Sequence, residues 1–236
     1  MFNWILILLF AAPFTGGLLA IQSGYKNENI LKVFLAFAGG YIFAITILHL
    51  LPEVFAEGNS NTSIIVLAGF FFQVFISRFS DGAEHGHMHV HKHNHNIALP
   101  LGLFLSMCLH SFTEGLPLGL IHNNSMAIGI AMHELPAAFA LMSILGSEHI
   151  KKTTVWILLI AYTIMAPSGM LISSSLSSIL PDYIFTRVLA FVAGIFLYIS
   201  TTILFENSEN HHFSGRKLFA IMGGVGMALI ISYLVK

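Results

Sequence analysis

Charge is what this sequence has least of. Asp, Glu, Lys and Arg make up 9% of its 236 residues, against 56% hydrophobic, whereas an ordinary soluble domain is about 25% charged. A soluble globule is thereby excluded. Cysteine is almost as scarce: Cys108 is the only one, which rules out an internal disulfide and any multi-cysteine zinc site. No G-x-x-x-x-G-K-[ST] run occurs, so nothing supports ATP hydrolysis by this chain. A basic leader region is missing as well. Only Met1, Phe2 and Asn3 precede the first apolar run, which therefore reads as a membrane helix rather than a secretory signal.

What is present is long apolar runs. Crossing a hydrocarbon core of about 30 Å takes roughly 20 apolar residues in a helix. Eight such spans are expected, near 2–22, 31–53, 62–80, 97–121, 124–146, 153–176, 184–206 and 216–235. The expected fold is an all-α polytopic membrane protein forming a single transmembrane domain over 1–236. Basic residues set its orientation, because Lys and Arg near span ends stay cytoplasmic. Lys26, Lys32, Arg78, Lys92, Lys151, Lys152, Arg216 and Lys217 all flank odd-numbered connections, and Arg187 alone lies on an even one. Both termini are therefore expected outside, in a plasma membrane or bacterial inner membrane.

Span two contains "LAFAGGYIFAIT" and span seven "LAFVAGIFLYIS". At an offset of 154, Leu35, Ala36, Phe37, Gly40 and Ile45 recur as Leu189, Ala190, Phe191, Gly194 and Ile199. The copies stand five spans apart, an odd offset, so they cross the membrane in opposite senses, as inverted repeats of secondary transporters do. Chance likeness of two apolar helices is the competing explanation. Two copies of three helices leave spans four and five between them. The one long polar insertion, "SDGAEHGHMHVHKHNHN" over 80–96, falls on the cytoplasmic side and places His85, His87, His89, His91, His93 and His95 on alternate residues. It reads as a weak, multivalent metal-binding arm, with a solvated linker as the alternative.

Spans four and five carry the chemistry. In "CLHSFTEGLPLG", His110 and Glu114 are i and i+4 and share a helix face; Ser111 is about 100° around. In "AMHELPAAFAL", His133 and Glu134 precede Pro136. Pro117 and Pro136 cannot donate to the carbonyls of Thr113 and Met132, so each helix carries a free acceptor near these residues. Ionisable groups at mid-membrane cost several kcal/mol and mark a pathway or site. Imidazole with carboxylate and no thiolate suits Zn²⁺, with Fe²⁺, Mn²⁺ or Cd²⁺ as other guests. Binding should weaken as pH falls through the histidine range, because the ligands must be deprotonated. Two other classes use the same residues. A membrane-embedded zinc metallohydrolase would take Glu134 as its base, but "HELPA" has Ala137 where H-E-x-x-H needs its second histidine. A metal-binding receptor would bind without flux.

Taken together, "HSFTEGLPLG", "HELP", "HLLPE", the eight spans and the His-rich third connection resemble the ZIP (Zrt/Irt-like) family of divalent-metal transporters over essentially the whole chain. The resemblance implies metal import into the cytoplasm by alternating access, a 3+2+3 inverted-repeat arrangement, a central site with room for two metals, and pairing of two copies of the chain. It carries His110, Glu114 and His133 onto the principal metal site and Ser111, Glu114 and Glu134 onto part of a second. His49 and Glu53 fall at the entrance, where a solvated helix end is the alternative. Ala137 and Ala166 stand where many or some members carry further ligands, so a single functional site is expected. Metal ions and lipid are the expected partners, with no prosthetic group, no enzymatic activity and no nucleic acid.

Overall fold

The computed structural model describes residues 2–23, 28–56, 61–80, 101–121, 123–147, 150–177, 179, 181–205 and 215–234. These residues form helices and connections, with no strand among them. The helices are α1 (Phe2–Gln22), α2 (Glu28–Ile45), α3 (Leu51–Ala56), α4 (Thr62–Ser80), α5 (Leu101–Leu120), α6 (Asn124–Ser147), α7 (Lys152–Thr163), α8 (Met165–Leu176), α9 (Asp182–Phe205) and α10 (Gly215–Leu234). A π turn, Thr46–Leu50, joins α2 to α3 into the second span. The sixth span is α7 and α8 with a break at Ile164, three residues before Pro167, whose missing N–H cannot continue the helical ladder. The eight expected spans are thus all present as helix. His85, His87, His89, His91, His93 and His95 lie outside the described residues.

Among the described residues, seven of these spans are long and apolar enough to cross a membrane. The exception is the fourth, α5, where Ser106, His110, Ser111, Thr113 and Glu114 interrupt the apolar run. All five are buried, so the polarity that lowers its hydropathy faces protein.

The helices sort into two groups by how they pack. α1 lies along α6 and α5 along α8, while α2 lies along α10 and α4 along α9; contacts of α2 with α6 and of α4 with α5 join the groups. In lipid, helices are held together by close backbone approach rather than by hydrophobic burial, which favours small residues at crossings. Glycines supply that approach here. A Cβ on Gly115 would collide with the Ala166 carbonyl, and one on Gly169 with that of Phe112. Gly40 likewise abuts the Ile221 carbonyl and Gly224 that of Phe37, while Gly194 abuts Val66 and Gly69 abuts Phe191. Tyr41, fully buried, ties the two groups by donating its hydroxyl to the Ser125 carbonyl at 2.9 Å.

Candidate metal centre

α5 and α6 meet through their ionisable residues. From α5 come His110, Ser111 and Glu114, and from α6 come His133 and Glu134; none of the five exceeds 1% exposure. The i, i+4 spacing works as the sequence reading requires: His110 Nε2 is 3.5 Å from Glu114 Oε1. His133 Nε2 completes a triangle, 3.3 Å from His110 Nε2 and 3.7 Å from the same Glu114 oxygen. Three potential ligand atoms from two helices therefore point at one spot. A zinc ion with tetrahedral ligands at about 2.0–2.1 Å sets those ligands roughly 3.3–3.4 Å apart. The observed triangle is within a few tenths of an ångström of that.

Glu134 is not part of the triangle. Its Oε2 accepts the Tyr162 hydroxyl at 2.7 Å, and Ser111 and Glu114 sit beside it. Ser111 Oγ, both Glu114 oxygens, Glu134 Oε1 and His133 Nδ1 are buried and complete no hydrogen bond among the described residues. Buried polar atoms in native proteins are nearly always paired with protein or water, so this cluster of ligand-type atoms suits a hydrated cation. Two carboxylates side by side also favour a cation there. Ala137 is buried and offers no ligand atom one turn beyond His133.

The other sequence candidates fall elsewhere. His49 lies in the π turn, where its Nε2 is 2.7 Å from Ser232 Oγ of α10. Glu53 is exposed on α3. Two neighbours of the centre were not foreseen. Gln73, from α4, donates from Nε2 to His110 Nδ1 at 3.2 Å, and Tyr162 comes from α7. A lone amide in the middle of "IIVLAGFFFQVFIS" is a legible signal, since polar groups in a span are costly. A tyrosine in an apolar helix carries no such signal.

A family model described as ZIP Zinc transporter matches residues 2–100 and 83–232. Comparison with curated proteins gives no match.

Proposed function

The chain belongs to the ZIP zinc transporter family, and on that premise we propose that it imports Zn²⁺ into the cytoplasm through His110, Glu114 and His133, with Fe²⁺, Mn²⁺ and Cd²⁺ as further cargo. The family is one of transporters, not enzymes, and the seven apolar spans make the chain a multi-pass membrane protein. The observation that carries the site assignment is the His110–Glu114–His133 triangle, buried and of a size that fits a tetrahedral ion. Its chemistry suits passage as well as capture. Two neutral imidazoles and one carboxylate leave a fourth position for water or a Pro-freed carbonyl, and an incompletely enclosed ion can leave. Ser111 and Glu134 form the flank on which an ion arrives or departs. The Tyr162 hydroxyl on Glu134, together with Ala137 and Ala166, favours one metal at a time.

Alternating access is the proposed movement, within a single transmembrane domain of 3+2+3 plan with both termini outside and the 80–96 arm in the cytoplasm. The packing supports this plan. The pairing of span one with span five matches that of span six with span four, and span two with span eight matches span seven with span three. The glycine contacts repeat in the same sense: the Phe37 carbonyl meets Gly224 as the Phe191 carbonyl meets Gly69, and Phe37 and Phe191 are equivalent positions of the 154-residue offset. Moving one helix group against the other would carry the centre, since its two ligand helices belong to the same group.

The test is Zn²⁺ entry into proteoliposomes containing an internal zinc dye, comparing the unmodified chain with His110→Ala and Glu114→Ala. Saturable entry in the first and its loss in both variants is expected. Equal entry in all three would overturn the site assignment, and no entry of any divalent ion by folded protein would overturn transport.

A further inference from the structure

Tyr41 of α2 and the N-terminal half of α6 meet across the boundary between the two helix groups. The Tyr41 hydroxyl donates to the Ser125 carbonyl at 2.9 Å, and its ring lies where Gly129 leaves space: a Cβ there would stand 2.6 Å from Tyr41 Cε1. Ser125, Gly129 and His133 are successive i, i+4 positions, so they stack on one face of α6. The ring therefore covers α6 one turn before the ligand His133. Met126, Ile130 and Leu118, the last one turn beyond Glu114, belong with Tyr41 to one buried apolar cluster, which extends that cover. A buried tyrosine hydroxyl needs an acceptor, and hydrocarbon offers none. Leaving Ser125 thus requires water in the joint, the condition under which a hydrated ion can arrive. At the 154-residue offset Tyr41 is replaced by Ile195, buried but without a hydroxyl, so the corresponding position of span seven has no such tether.

We propose that Tyr41 is a gate over the metal centre: its ring closes the approach to His133 from the N-terminal end of α6, and its hydroxyl on Ser125 latches the ring shut. The proposal rests on the alternating-access reading above, in which the two groups move against each other. On that plan the N-terminal end of α6 faces outside, and an ion entering from there meets Tyr41 before it meets His133. A glycine at 129 is then a requirement of the gate, because it seats the ring against the helix backbone.

The test uses the full chain in detergent, in a Cys108→Ala background that removes the one native thiol. A single reporter is then introduced, either Met126→Cys on the gated side or Leu141→Cys, which is buried and lies about two turns beyond His133 on the other side. The readout is the rate of reaction with a hydrophilic maleimide. Tyr41→Phe keeps the ring and removes the latch. It is expected to speed the reaction of Met126→Cys about 2–10-fold, the shift that losing one ordinary hydrogen bond allows, and to leave Leu141→Cys unchanged. Gly129→Ala should do the same by unseating the ring, and should add little to Tyr41→Ala, where no ring remains to displace. Zn²⁺ entry into proteoliposomes should quicken in Tyr41→Phe by a similar factor. Equal gains at both reporters would make Tyr41 a fold-stabilising residue and overturn the gate, as would an unchanged rate at Met126→Cys or unaltered Zn²⁺ entry. If the unmodified chain admits no Zn²⁺ at all, the proposed transport fails on its own, and the maleimide rates then decide the latch by themselves.

Discussion

α5 and α10 are both 20 residues long and have opposite fates. α10 is apolar enough to cross a membrane unaided, yet only Ile221, Gly224 and Ala228 of it are buried, and Phe219, Tyr233 and Leu234 are exposed at 74% or more. α5 falls short of that apolarity and is buried along most of its length, from Phe104 to Gly119. In a soluble protein the more hydrophobic helix would be the inner one. In a bilayer the solvent is itself hydrocarbon, so hydropathy alone does not draw a helix inward, and a polar residue is admitted only where protein or a guest meets it.

Substitutions in the two helices should have very different effects. The largest effect is expected in α5. Glu114→Gln keeps the shape and removes the charge, and Zn²⁺ entry should fall by more than about 100-fold, beyond what losing an orienting residue does, with the folded protein still eluting as one species. Next comes Gly115→Val, whose side chain would meet the Ala166 carbonyl and push α5 off α8; overpacking of about 1–3 kcal/mol or more should appear as a lowered thermal midpoint and reduced folded yield. Tyr162→Phe deletes the hydroxyl that Glu134 accepts, an acceptor bond worth about 1.5–3 kcal/mol when ionised; a smaller drop in midpoint is expected, read by the same melt. Smallest of all, Phe219→Leu on the exposed face of α10 should leave stability within about 0.5 kcal/mol and flux unchanged. A loss of flux in Phe219→Leu comparable to that in Glu114→Gln would end the contrast between the two helices.

How far the sequence could be read follows from the range of each interaction. His110 and Glu114 were legible because four residues is one helical turn, and a shared face needs no knowledge of the fold. His133 was legible once α5 and α6 were taken as neighbours across a short connection. The Gln73 contact with His110 spans 37 positions and the Tyr162 contact with Glu134 spans 28, and each depends on the rotation of a third helix about its axis. No periodic pattern reports that rotation. Boundaries show the same limit. The expected single helix over 31–53 is interrupted by the π turn, and that over 153–176 by the break at Ile164. Both interruptions preserve the hydropathy on which the expectation rested. The proposed repeat rests in the sequence on five matching residues, whereas the matching contacts, carbonyls of α2 and α9 seated on glycines of α10 and α4, lie on helices whose sequences do not advertise each other.

The π turn over Thr46–Leu50, closed by the Leu51 amide on the Thr46 carbonyl, is one residue too many for an α-helical screw. Each residue advances an α-helix by about 100°, so the surplus acts as a phase error that every later residue of the span inherits. Thr46 spends its hydroxyl on the Ile42 carbonyl at the start of this stretch, and His49 lands within it, turned toward Ser232. The azimuth of Glu53 and Val54 is accordingly set by counting rather than by chemistry. Removing a single residue from this turn would leave composition and hydropathy almost untouched and yet rotate the whole C-terminal end of the span, like a thread cut one notch out of step with its nut.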